Sequence, residues 1–292
     1  MVNPVAFSLF GKEIYWYGIV MSIAIFAAVL LGLYNARKRG FHPDMIVDFC
    51  LLAIPLALVF ARIYYCVFAW DEFAANPMRV FYIWEGGIAI YGSLIGGLIA
   101  GFIFCKWRKV SMWDLMDIAA PSLILGQALG RWGNYFNQEV YGVQVTNPAW
   151  QLFPIAVYIQ KSDVTGWFYA LFFYEFVWNL AVFGVLYLYR RVAKPRGNTF
   201  FLYMMLYALG RMGMEAMREA QYALTIGGSH LRVSLLLSAV LLVGCGLAMF
   251  LRRNAVKTDY LPEGPYVYDT YMAHAKEKQA EKDNGGDKEH NA

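Results

Sequence analysis

Five ionisable side chains stand where the sequence is otherwise apolar: Arg62, Arg131, Glu175, Arg211 and Glu215. A charge placed in hydrocarbon costs about 2.5–3.5 kcal/mol on insertion scales, so each of these is a functional candidate before anything else is known. Arginine is the informative type. Its guanidinium stays protonated, and its planar fork fits a phosphate bidentately. Arginines near one membrane face point to an anionic phospholipid headgroup, and chemistry follows if one of them stabilises a departing phosphate. The chain has no Ser–His–Asp set, and its four cysteines lie in apolar segments away from any histidine. They read as packing residues, and neither a metal nor another cofactor is implied. A nucleophile would have to arrive on a second substrate.

Three segments hold the polar residues. Residues 126–139 read GQALGRWGNYFNQE. Gly126 and Gly130, four apart, permit close helix contact, and Arg131, Asn134 and Gln138 share a face if the helix persists. A capped helix end with Trp132 and Tyr135 at the interface explains the aromatics, but not the crowding of Arg131, Asn134, Asn137 and Glu139. The second segment places Tyr207, Arg211, Glu215 and Arg218 along one helical stripe. Arg211 and Glu215 alone would make a plain i, i+4 ion pair. The third, EGGIAIYGSLIGGLIAG at 85–101, contains Gly86, Gly87 and Gly92 before the body of a span, where exposed N–H groups could receive an anion. Gly96, Gly97 and Gly101 read as packing glycines. Tyr17 opens the first span on the same outer side.

These residues need a membrane scaffold. Hydrophobic residues make up 59% of the 292 and charged residues only 16%, with a mean hydropathy of +0.42. A soluble fold would leave large aggregating patches. The expected architecture is an all-α integral membrane protein with seven transmembrane helices, roughly 17–35, 45–69, 86–105, 114–135, 167–189, 199–217 and 233–251. Basic clusters follow alternate spans: Arg37–Lys38–Arg39, then Lys106, Arg108 and Lys109, then Arg190, Arg191, Lys194 and Arg196, then Arg252, Arg253 and Lys257. Basic loops stay cytoplasmic, which puts the N-terminus outside and the C-terminus inside. The first span reads as a retained helix, not a cleaved leader. Asp117, near the cytoplasmic start of the fourth span, has a plausible surface role. Residues 136–165, rich in aromatics, are expected to lie along the outer surface.

Residues 1–253 carry 20 Lys+Arg against 13 Asp+Glu, whereas 254–292 carry five against eight. The membrane domain is therefore 1–253, and 254–292 is expected to be a polar, disordered cytoplasmic tail, of which AHAKEKQAEKDNGGDKEHNA (273–292) has almost nothing to bury. The basic residues sit in short clusters between apolar runs, so no nucleic-acid partner is expected.

The segment GRWGNYFNQE resembles the G-R-x-G-N-x-x-N-x-E hallmark of bacterial prolipoprotein diacylglyceryl transferases. The resemblance continues in order through WYG (16–18), ARIYY (61–65), WEGGIAIYGSLIGG (84–97), D-x-x-A-P (117–121), YE (174–175), YALGRMGMEAMR (207–218) and LRVS (231–234). It implies a multi-pass enzyme of the bacterial cytoplasmic membrane, acting among membrane lipids. Such an enzyme moves the diacylglyceryl group of phosphatidylglycerol onto the cysteine of prolipoprotein signal peptides, forming a thioether and releasing glycerol phosphate. By position, Arg131 matches the arginine that binds the lipid phosphate, and Arg211 a second essential arginine suited to leaving-group stabilisation. Tyr17, Asn134, Glu139, Tyr207 and Glu215 match polar cavity positions, and Gly86 and Gly92 match glycines that let the chain pass close to the headgroup.

The chain departs from the pattern in two places. Many members carry HGG where this chain has Tyr91–Gly92–Ser93, so a histidine considered as the thiol's base is absent. Tyr91, Glu139 and Glu215 remain as proton-handling candidates, although a tyrosine of pKa ~10 is a poor base unless perturbed. In the span near 175, an H-P-x-x-L-Y-E pattern reads YALFFYE. Two rival readings are an organic-anion or lipid transporter with an arginine-lined path, and a non-enzymatic scaffold whose arginines merely pair with Glu175 and Glu215. The transporter reading would predict related halves, and no internal repeat is present.

Overall fold

The computed structural model describes residues 3–161, 164–189, 195–218, 233–253, 265–267, 269–270 and 272–273. Arg190, Arg191, Lys194, Lys257 and the first two residues of the LRVS segment, Leu231 and Arg232, lie outside the described residues.

The chain is mainly helical: α1 (Trp16–Lys38), α2 (Asp44–Phe68), the single turn α3 (Asp71–Ala74), α4 (Ile90–Arg108), α5 (Met112–Phe136), α6 (Leu171–Tyr189), α7 (Asn198–Glu215) and α8 (Val233–Leu251). Five of these, α1, α2, α4, α6 and α8, are long and apolar enough to cross a membrane. α5 and α7 fall outside that group and carry the ionisable residues Asp114, Asp117 and Arg131, and Arg211 and Glu215. Large apolar side chains remain exposed along the apolar helices, among them Phe26, Leu51, Leu98, Leu188 and Val243. In water these would be an aggregation surface, whereas in hydrocarbon they are a lipid-facing belt.

Four short strands accompany the helices. β1 (Val5–Leu9) and β2 (Lys12–Tyr15) form an antiparallel hairpin. Its turn residues Phe10 and Gly11 both have positive φ, 50° and 78°, as the twist of a two-residue hairpin loop requires. β3 (Ala156–Gln160) pairs antiparallel with β4 (Thr165–Tyr169). The aromatic segment after α5 thus leads into a hairpin. It closes over a small apolar core of Val157, Ile159, Phe168, Ala170 and Phe172, with Trp132, Tyr135 and Tyr141 packed against it. The β4 strand also explains why α6 begins at Leu171 and not near 167.

Two compact units are distinguished. The first contains residues up to 32 and 116–259, the second 33–115 and 260 onward. In the first, α6 and α7 pack around Ala120, Ile124, Val182, Leu186 and Tyr203. Asp117 is 2% exposed and accepts hydrogen bonds from the backbone N–H groups of Gly197 and Phe200, at 3.0 Å each. The surface role expected for it is corrected: it is a buried cap on the start of α7, satisfying donors that a helix leaves orphaned.

In the second unit, α4 lies against α2 at backbone distance. A Cβ added at Gly92 would sit 2.3 Å from the Phe60 carbonyl oxygen, and one at Gly96 2.6 Å from that of Leu56. Small residues four apart let the two backbones meet. Residues 265–267 also belong here. Val267 bridges to Phe41, the His42 N–H donates to the Tyr266 carbonyl, and the Tyr266 hydroxyl donates to Asp48, which pairs with Arg108 at 3.1 Å. Tyr266 is 3% exposed. Within the stretch expected to be a disordered tail, this one aromatic finds a slot beside Phe104.

Candidate functional site

In the first unit, the carboxyl ends of α5 and α7 meet the amino end of α6. Arg131 lies in the last two turns of α5, Arg211 four residues before the end of α7, and Glu175 in the second turn of α6.

Glu175, 6% exposed, is the junction. One of its carboxylate oxygens is 2.7 Å from Arg131 Nε, and the other is 3.4 Å from Arg211 Nη1. The first contact is a close charge pair whose N–H misses the oxygen in direction, so it is Coulombic and not a formed hydrogen bond. Arg211 also pairs with Glu215 at 3.0 Å. On the other flank, Arg131 Nη1 donates to Asn134 at 3.3 Å, and Asn134 Nδ2 donates to Glu139 at 2.8 Å. One continuous polar chain thus runs Glu139–Asn134–Arg131–Glu175–Arg211–Glu215. Both guanidinium groups reach a single carboxylate, so a single anion could reach both.

The chain borders a small, partly open cleft, also lined by Trp178, Asn179, Tyr207 and Gly210. Gly210 is required by proximity: a Cβ there would lie 2.1 Å from Trp178 Nε1, which donates to the Leu206 carbonyl at 3.0 Å. Two donors in the cleft are uncommitted. Arg131 Nη2 has no acceptor among the described residues. Asn179 is 3% exposed, and its Nδ2 has no hydrogen-bond partner. A buried amide donor without a partner carries a desolvation penalty that a ligand oxygen would relieve.

Arg218 follows α7, and its side chain donates to nothing among the described residues. Burial, and after it the like charge of Arg211, lowers its pKa below the ordinary arginine value, although an arginine remains cationic.

The other expected residues divide between the two units. Tyr17 lies against α5 where Gly133 leaves room; a Cβ there would be 3.0 Å from its ring. Gln138 leaves the expected helical face: α5 ends at Phe136, Gln138 has φ 50°, and its side chain accepts from the Gln160 N–H. Gly86, Tyr91 and Gly92 lie in the second unit. Gly86 is exposed, with φ 86° and open space where a side chain would be, and Tyr91 is 43% exposed. Gly92 is corrected: it is buried, and its missing side chain makes room for α2 and not for a headgroup. Gly97, expected to pack, faces open space. Glu175 was a candidate from its intramembrane charge alone, with no role assigned in the expected site, and Asn179 was not expected there. A lone glutamate in an apolar helix was the legible signal for the first, and its i, i+4 spacing to Asn179 the available one for the second.

A sequence model of the prolipoprotein diacylglyceryl transferase family matches residues 4–252. Among similar proteins, the phosphatidylglycerol–prolipoprotein diacylglyceryl transferase of Halalkalibacterium halodurans is 43% identical over 242 residues, covering 82% of this chain and 83% of its own. Its namesake in Bacillus velezensis is 39% identical over 254 residues, covering 86% and 93%. That of Oceanobacillus iheyensis is 38% identical over 266 residues, covering 89% and 91%.

Proposed function

The chain belongs to the prolipoprotein diacylglyceryl transferase family, and on that premise we propose how it transfers the diacylglyceryl group of phosphatidylglycerol to the lipobox cysteine of a prolipoprotein. The observation that carries the mechanism is the meeting of Arg131 and Arg211 on Glu175, beside donors with no acceptor of their own.

The lipid phosphate takes the free face of Arg131 and the adjoining edge of Arg211, and Asn179 donates to a headgroup oxygen. The substrate cysteine supplies the nucleophile. Its thiol, pKa ~8.5 in water, ionises more readily beside cationic groups. The thiolate attacks the glyceryl carbon that bears the phosphate ester oxygen. The C–S bond forms as the C–O bond breaks, and glycerol phosphate leaves with the bonding pair. Negative charge gathers on the departing phosphate, where Arg211 binds the transition state more tightly than the ground state. The thiol proton passes to a carboxylate. Glu139 suits this role, because Asn134 and Asn137 occupy one of its oxygens and the other has no partner among the described residues. Glu215 is 1% exposed and paired, and Tyr91 is the weaker base. Tyr17 and Tyr207 shape the approach of the lipid.

The proposed setting is the bacterial cytoplasmic membrane, with seven crossings, the N-terminus outside and the C-terminus inside. At 1.5 Å per residue, the 18 residues of α7 approach the ~30 Å hydrocarbon thickness. Basic residues close α1, α4 and α8. The transporter alternative has no support, since the relatives are named as transferases.

The test mixes membranes containing the protein with phosphatidylglycerol and a lipobox peptide bearing cysteine, or serine as control. Cysteine-dependent gain of a diacylglyceryl mass with release of glycerol phosphate is expected. No gain with any anionic phospholipid overturns the reading.

A further inference from the structure

Arg62 stands apart from the other intramembrane arginines. It is 6% exposed, in α2, and its donors are fully used. Nε donates to the Val80 carbonyl at 2.9 Å. Nη1 donates to Gly86 and Gly87 at 2.6 and 2.9 Å, and Nη2 to Arg79 and to Tyr82, the latter at 3.3 Å. A guanidinium has five N–H groups, and all five end on backbone carbonyls of one loop. The cation also lies 5.0 Å from the centre of the buried Phe73 ring. No donor is left for a phosphate, in contrast to Arg131.

Of those carbonyls, only that of Arg79 accepts another backbone N–H among the described residues, from Tyr82 at 3.0 Å. The loop consists of two 3-10 turns, Pro77–Phe81 and Ile83–Glu85, followed by Gly86 and Gly87 with φ 86° and 70°. Carbonyls turned inward to Arg62 leave the apolar side chains facing out: Phe81, Trp84 and Ile88 are 69%, 75% and 55% exposed. Gly87 fits the guanidinium closely, since a Cβ there would lie 2.6 Å from Nη1 and 2.8 Å from the Tyr65 ring. An unpaired carbonyl at this depth is costly, so the loop conformation and the arginine depend on each other.

We propose that Arg62 is a positioning residue for lipid use: it never touches substrate, and it casts loop 79–88 so that Gly86 and the exposed apolar rim meet phosphatidylglycerol. The proposal rests on the transferase reading above. It assigns to Arg62 the organisation of a lipid-contacting surface and leaves phosphate binding to other arginines.

The test uses the full-length protein in lipid nanodiscs, wild type and Arg62→Lys. Lysine keeps the charge but has three donors and no fork. Amide exchange of residues 79–88 should rise about tenfold or more while that of 198–215 is unchanged. With saturating lipobox peptide, KM for phosphatidylglycerol should rise about tenfold, with kcat within about threefold. Wild-type exchange in the loop overturns the proposal. So does faster exchange with an unchanged KM, which would make the arginine merely structural. Should Arg62→Lys fail to accumulate, Gly87→Ala perturbs the same contact with the arginine intact, and the same two readouts decide. A wild-type protein that transfers nothing refutes the enzyme reading instead, and the exchange comparison still decides whether Arg62 holds the loop.

Discussion

Replacing Glu175 by glutamine keeps the shape of the junction and removes its charge. The carboxylate lies 2.7 Å from Arg131 and 3.4 Å from Arg211. At an effective dielectric of ~20 these contacts are worth about 6 and about 5 kcal/mol before any cost is counted. Desolvating a carboxylate that is 6% exposed opposes several kcal/mol of that. Breaking a buried pair from one side costs about 3–5 kcal/mol, because the partner charge is left uncompensated. Glu175→Gln should therefore lower the stability of the lipid-free protein by about that amount. Phosphatidylglycerol should then stabilise the variant more than the wild type, because its phosphate supplies the anion that both arginines have lost. Transfer should fall tenfold or more, since the arginines no longer have a fixed anchor. The assay is thermal unfolding of purified protein with phosphatidylglycerol or phosphatidylcholine, beside single-turnover transfer. A phosphatidylglycerol-induced rise in Tm no larger in the variant than in the wild type would refute the idea that carboxylate and phosphate compete for one pair of cations. Glu175→Asp, which retains the charge, should show the wild-type lipid response.

Arg211→Lys keeps the charge but loses the fork that spans Glu175 and Glu215, so kcat should drop by about 100-fold or more with normal membrane insertion, measured by peptide lipidation. Asn179→Leu removes a buried donor that has no partner, so unfolding of lipid-free protein should be unchanged or shifted slightly upward while KM for phosphatidylglycerol rises several-fold. Tyr266→Ala empties a slot beside Phe104 and leaves Asp48 short of one donor, so stability should fall by about 3–5 kcal/mol, read as earlier unfolding and as new protease cleavage near the α1–α2 turn.

The long apolar helices were legible because membrane solvation writes itself into about 20 consecutive residues. Arg131 and Arg211 stood out for the same reason, as charges where charge is costly. What escaped was set by tertiary contacts that span sequence distance. Glu175 is an ordinary ion-pair candidate until two helices bring both arginines to it. Arg62 had the same sequence signature as Arg131, and only the carbonyls of a loop 17–25 residues away distinguish them. Gly92 and Gly97 exchanged roles because one residue of helical phase decides which glycine meets α2. The hairpins were hidden by their length of four or five residues, although Phe10–Gly11 at the first turn offered a local cue. Asp117 could not be read as a cap, since its partners are 80 residues away.

The family match stops at residue 252, yet Tyr266 and Val267 fill positions in the unit that begins at residue 33. The polypeptide therefore closes that unit with its own far end, as a parcel is tied with the last length of its string. A chain shortened to residue 253 would retain the whole region that the family model matches and still leave Phe41 and Asp48 uncovered. Grafting this ending onto a relative would transfer the tether only if the recipient also offers an acidic acceptor and an aromatic seat for the tyrosine.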